Sequence, residues 1–221
     1  KEELLRQIDL DKFLLLIDEE YKTDTQKEYK NYNENENDHT ISSIPMKDYY
    51  YSKSQAVEYA NRYVYNRNRK FYDATAGGGD CTNFASQILW YGFGANDTVE
   101  DIRNQVMMVP GSSYRDGWYA GPGGGSRNWE SVQAFWNYMT GNKKADTPGP
   151  RVSVVSSFSS LKNGGIMQID PNNTGNYNHT TILVDKSSEK FAQHTLNNYY
   201  YYDDYSGQKR FLNPDYFRDY D

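Results

Sequence analysis

The residues with the clearest chemical capacity in this sequence are its one cysteine, Cys81, and two of its three histidines, His179 and His194. A thiol attacks a carbonyl carbon only as the thiolate, and a helix N-terminus or a neighbouring imidazolium lowers its pKa enough for that. Cys81 follows Gly77, Gly78, Gly79 and Asp80 and opens the run Phe84, Ala85, Ile88, Leu89, Trp90. That spacing predicts a buried helix ending near Gly92, with Cys81 in its first turn. Asp80 is expected to cap it, its carboxylate accepting from the backbone N–H of Thr82 or Asn83 and leaving the first free N–H groups to an oxyanion.

The activating base must come from elsewhere in the chain. His39 lies in a low-complexity stretch, whereas His179 and His194 each fall in a strand-like run. His179 follows the turn-rich segment 172–178 and begins the run Thr180 to Val184, so it stands at a strand end facing a loop, where a base can meet substrate. Adjacent antiparallel strands can bring His194 alongside, and it is expected to orient His179 through the second ring nitrogen, with Asn197 its rival for that third place. A structural reading competes at each position. A lone cysteine is more often an inert buried residue, and His194 can equally be a hydrogen-bonded strand histidine.

The elements that must position these groups follow from the pattern. Leu4, Leu5, Ile8, Phe13, Leu15, Leu16 and Ile17 suit amphipathic helices, and the Asn- and Glu-rich stretch 31–40 reads as a linker, giving an N-terminal arm and linker over 1–45. The second unit, 46–221, opens on a helix carrying Ala56, Val57, Tyr59, Ala60, Tyr63 and Val64, capped by Ser52 or Ser54. Residues 91–128 read as long loops, and a helix is expected from Trp129 to Met139. After Thr147 come short β-branched runs at Val152–Phe158, Gly165–Asp170, His179–Asp185 and Lys190–Thr195. Helices first and strands afterwards predict an α+β fold, N-terminal helices packed on a C-terminal antiparallel sheet.

Composition narrows the function classes. The net charge is −6 with Lys and Arg scattered, which excludes a nucleic-acid binder. No run of about 18 apolar residues is available for a membrane span. A single cysteine excludes a disulfide framework and paired-cysteine zinc sites, and no metal or cofactor is expected. Asp203 and Asp204 lack the spacing of a calcium loop. Aromatic residues make up 16% of the chain, mostly its 22 tyrosines, which are therefore expected to supply much of the core. The cluster Tyr199–Tyr202 is expected to pack across strands rather than bind sugar. A chain beginning at Lys1 is expected to have been cut or trimmed, which is compatible with a removed export signal.

The segments AVEYANRY (Ala56–Tyr63), DCTNFASQ (Asp80–Gln87), SRNW (Ser126–Trp129), HTTILVD (His179–Asp185) and QHT (Gln193–Thr195), in this order and spacing, resemble the Putative amidase domain family of exported Gram-positive bacterial proteins, grouped with the papain-like cysteine hydrolases. The resemblance implies Cys81 as nucleophile, His179 as general base, and a secreted or cell-surface enzyme cutting an amide of peptidoglycan or a peptide through a thioester. Two departures stand out: the family's double glycine after the SQ helix is here Tyr91, Gly92, Phe93, and the loop 96–125 is expanded. Tyr72, Ser126 and Trp129 are expected beside Asp80 along the substrate groove, Trp129 with Trp118, Tyr114 and Tyr119 as an aromatic wall, although Trp129 suits a core position equally well. The alternatives are a non-catalytic wall-binding or adhesion module on the same fold, and acyl transfer to an amine in place of water.

Overall fold

In the computed structural model, which describes residues 45–77 and 80–221, the chain runs through β1 (Met46–Tyr50), α1 (Lys53–Tyr63), α2 (Cys81–Gly92), α3 (Val99–Arg103), β2 (Ala120–Gly121), β3 (Gly124–Gly125), α4 (Arg127–Glu130) and α5 (Val132–Thr140). Strands β4 (Gly149–Val155), β5 (Ile166–Asp170), β6 (His179–Asp185), β7 (Lys190–Gln193), β8 (Asn198–Tyr201) and β9 (Gln208–Tyr220) follow. The class is α+β. The helical arm and linker expected before residue 45 lie outside the described residues.

Local chemistry accounts for the helix starts. Ser52 caps α1, accepting from the Gln55 N–H at 3.4 Å. The single helix expected from Trp129 to Met139 is two. Ser131 is extended (φ −91°, ψ 128°) and restarts the chain as N-cap of α5, so α4 and α5 meet at a corner. In the long loop, Val109 and Trp118 exchange backbone hydrogen bonds, and Gly117 beside them has φ +67°. A Cβ there would lie 2.3 Å from the Val109 carbonyl oxygen, so only glycine fits.

The sheet is seven-stranded, and all its pairings are antiparallel. The long β9 organises it, pairing with β4 on one edge and with β5 and then β1 on the other. β5, β6, β7 and β8 continue outward as a meander. Residues alternate between two apolar layers, as a pleated strand requires. Ile166, Ile182, Val184 and Leu212 face the larger cluster with Ile88, Leu89, Trp90 and Trp129, while Met167, Leu183 and Phe211 face a smaller one with Leu161 and Phe191.

The core differs from expectation in composition. Tryptophan, phenylalanine and aliphatic residues fill it; among its members Tyr59 is the one fully buried tyrosine, while Tyr49, Tyr51, Tyr63 and Tyr91 line the rim. A phenol needs a partner for its hydroxyl, which is easier to supply at a rim than in the centre. Every residue of α2 from Cys81 to Trp90 is buried. The helix is thus enclosed by α1 and α4 as well as by the sheet, and its N-terminus is a fixed point.

Candidate active site

The N-terminus of α2 docks on β6 and β5 through a ladder of polar side chains. Thr82 Oγ1 lies 2.9 Å from Thr180 Oγ1, Gln168 Nε2 donates to Thr180 Oγ1 at 3.1 Å, and Arg210 Nη2 donates to Gln168 Oε1 at 2.6 Å. All three of Thr82, Thr180 and Gln168 are buried, so these bonds lie in a low dielectric and fix the helix start against the strand that begins with His179.

Cys81 and His179 meet there, the imidazole near enough to act on the ionisation of the thiol. Burial pushes the Cys81 thiol up, but the His179 hydrogen bond and charge, the Thr180 backbone N–H and the Thr82 hydroxyl together outweigh it and leave its pKa below the ordinary value. Burial pushes His179 down, and the bond and charge of Cys81 with the Gln193 contact reverse this, so its pKa is raised. Both shifts favour a thiolate–imidazolium pair.

The second ring nitrogen of His179 is held by Gln193. Its Nε2 meets Gln193 Oε1, an atom that only accepts, so Nε2 carries the proton and Nδ1 is left to face the thiol. Tyr205 donates its hydroxyl to the same Gln193 oxygen at 3.1 Å, and its ring lies 6.1 Å from the imidazole.

Neither residue expected in that third place occupies it. His194 faces away from His179: Nδ1 lies 2.7 Å from Asp80 Oδ2, Nε2 lies 2.9 Å from the Tyr63 carbonyl oxygen, and the ring stacks on Phe84 at 3.6 Å. It ties the end of α1 to the start of α2. Asn197 has a buried Oδ1 with no hydrogen-bond partner among the described residues and borders a separate cavity.

Asp80 is the N-cap by position, but its carboxylate does not accept from the helix backbone. Its oxygens meet Arg67 Nε at 2.9 Å, Asn83 Nδ2 at 2.6 Å and His194. A guanidinium outcompetes a neutral backbone N–H for a buried carboxylate. The first-turn N–H groups of α2 are consequently left uncapped, as an oxyanion site requires.

The remaining expected groove residues divide between core and surface. Trp129 is fully buried and donates Nε1 to Asn83 Oδ1 at 2.9 Å, so it belongs to the core. Ser126 is buried too, its hydroxyl bonded within the loop to the Tyr119 N–H and the Gly117 carbonyl. Tyr72 keeps an exposed side chain, while its backbone carbonyl accepts from Asn83 Nδ2 at 3.1 Å. Among the described residues no group of three or more His, Cys, Asp or Glu side chains is placed to hold a metal ion, and no helix is long and apolar enough to cross a membrane.

Glu130, unmarked by any motif, is a further, half-buried acid near this centre. Burial raises its pKa from the ordinary 4.5 to about 7, the Gly125 N–H at 2.7 Å opposes this, and the charge of Asp80 adds to it. A folded-state pKa above the unfolded one means that stability declines as pH rises from 4.5 to 7. Glu130→Gln is expected to remove about 2 kcal/mol of that decline. Thermal melting at pH 5 and pH 8 checks it: the wild type loses several degrees more than the variant between them.

An α+β domain with a cysteine–histidine pair at the start of its buried helix is thus the class that fold and site define. The chain belongs to the family described as Putative amidase domain, whose profile matches residues 50–212. It is 29% identical over 136 residues to Uncharacterized protein YhbB of Bacillus subtilis (strain 168), covering 62% of this chain and 38% of that protein. The chain therefore spans well under half the length of this relative. No solved structure matches it.

Proposed function

We propose that this chain is a papain-like cysteine hydrolase of the cell exterior that cuts an amide bond in peptidoglycan, through an acyl-enzyme on Cys81. The observation that carries the reading is the placement of Cys81 at an uncapped helix N-terminus beside His179, whose ring is held by Gln193. Family membership supports amide hydrolysis, and the resemblance to a family of exported proteins supports a substrate at the cell exterior.

In this mechanism the Cys81 thiolate attacks the amide carbon, and the charge that develops on oxygen is taken by the Cys81 backbone N–H in the first turn of α2. His179 then donates its Nδ1 proton to the leaving nitrogen as the C–N bond breaks, leaving a thioester. Water attacks the thioester, His179 accepts its proton, and the acid and the thiolate are released. Gln193 holds the imidazole in the tautomer that makes both transfers possible, and Tyr205 holds Gln193. Gln193→Ala is expected to lower kcat about tenfold to a hundredfold with little change in KM, since it frees the ring without removing it. Steady-state kinetics at several pH values measure this.

The test of the reading is digestion of purified peptidoglycan by wild type and Cys81→Ala, with fragments identified by mass spectrometry. Fragments released by the wild type alone support it and say whether the cut falls at the muramoyl amide or within the peptide stem. Equal release by both proteins would refute it, and no release by either would favour the wall-binding reading.

A further inference from the structure

We infer that a cavity of about 320 Å³ lined by Arg67, Arg69 and Asn197 binds the terminal residue of a peptide, its carboxylate on the guanidinium groups and its amide N–H on Asn197. The inference deepens the amide-hydrolase reading, on which it rests for its substrate class. The cavity lies between the segment that follows α1 and the turn after β7, and Arg67 links it to Asp80, the residue before the nucleophile.

Two independent observations meet in this cavity. The first is a pair of guanidinium groups with donors left unused. Arg67 is held by its Nε, at 2.9 Å from Asp80 Oδ2 and 3.2 Å from Asp73 Oδ1, while neither Nη has a hydrogen-bond partner among the described residues. A guanidinium anchored through Nε presents its two Nη groups in a fixed plane, the geometry that receives a carboxylate. Arg69 is exposed and forms no ion pair among the described residues. Asp73 also borders the cavity, but its Oδ1 is engaged by Thr75 as well as Arg67.

The second observation is an acceptor without a donor. Asn197 Oδ1 is buried and has no hydrogen-bond partner among the described residues. Leaving such a group dry is unfavourable, and an unpartnered amide turns readily about χ2 toward a donor that arrives. A sugar hydroxyl would satisfy Asn197 but leave the Nη groups of Arg67 and the guanidinium of Arg69 without a bidentate acceptor. A terminal peptide residue satisfies both, because it carries a carboxylate and an N–H on the same carbon.

The test is a binding measurement that needs no turnover, made on the Cys81→Ala protein by calorimetry. The probes are acetyl-Ala-Ala, its C-terminal carboxamide, and the acid peptide methylated on its last amide nitrogen. The acid is expected to bind about tenfold or more tightly than either derivative. Arg69→Gln, a change at an exposed side chain, is expected to weaken the acid about tenfold and leave the carboxamide unchanged. Equal binding of acid and carboxamide, no binding of the acid, or indifference to Arg69→Gln would each overturn the inference. Preference for the acid without peptidoglycan cleavage would leave this site standing and remove the hydrolase reading; cleavage without that preference would do the reverse.

Discussion

Replacing His179 by alanine is expected to slow amide hydrolysis about a thousandfold or more while leaving the protein folded. Two losses combine. In the proposed mechanism the imidazole is the proton donor to the leaving nitrogen, and its influence is what holds the Cys81 thiol below its ordinary pKa against the opposing effect of burial. Without it, burial prevails and the thiol stays protonated at neutral pH. Added imidazole should restore part of the rate if a cavity at the ring position admits it. In the wild type, kcat/KM should rise with pH through a Cys81 ionisation lying below the usual thiol range. It should fall again through a His179 ionisation lying above the usual histidine range. The two limbs belong to the pair rather than to either residue. His179→Ala should lose the alkaline limb altogether.

The largest expected effect on stability lies one residue before Cys81. Asp80→Ala removes the one carboxylate that Arg67, Asn83 and His194 share, in a place where Asp80 and His194 are almost wholly buried. Breaking such a buried pair from one side costs about 3 to 5 kcal/mol. For a domain of this size that lowers the melting temperature by roughly 10 °C or more. Asp80→Asn should cost less, because its amide oxygen still accepts. Asp48→Asn, at the half-buried Arg218 pair, should cost far less. Thermal unfolding followed by circular dichroism orders the three variants. Equal melting of Asp80→Ala and Asp48→Asn would show that the network at the start of α2 contributes nothing.

Much of the positioning scaffold was legible in the sequence. The Gly-rich loop, the apolar spacing of α2 and the β-branched run of β6 suffice to put Cys81 at a helix start and His179 at a strand start, and the structure has both there. The partner of His179 was not legible, and a single β-bulge is the reason. Near the hairpin, Asp185 pairs with Lys190; continued without interruption, that register would set His194 on the same face as His179. A shift between Leu183 and Asp185 instead pairs Leu183 with Phe191 and Ile182 with Ala192. One residue of slip exchanges faces, so Gln193 joins His179 and His194 turns to the other side, toward Asp80. Only the length of the hairpin in three dimensions reveals that bulge.

Other departures have similar local causes. β9 escaped notice because Pro214 interrupts its pattern, and the structure accommodates that proline where the pairing with β4 shifts register between Arg151 and Val152. Asp80 has the sequence of an N-cap, but capping assumes that no stronger donor is near. Arg67, 13 residues earlier, is brought back to it only by the fold. Trp129 suited wall and core equally until the Asn83 oxygen, one turn into α2, was seen to take its indole N–H.

The central claim, an activated thiol at Cys81, is tested most directly by the rate of Cys81 alkylation by iodoacetamide across pH, in wild type and in His179→Ala. Cys81 is the chain's single cysteine, so every modification reports on it without knowledge of the substrate. The account predicts that the wild type remains reactive well below the ordinary thiol range and that His179→Ala reacts only as the pH approaches or passes that range. Identical profiles for the two proteins, or a wild-type thiol unreactive until alkaline pH, would contradict it.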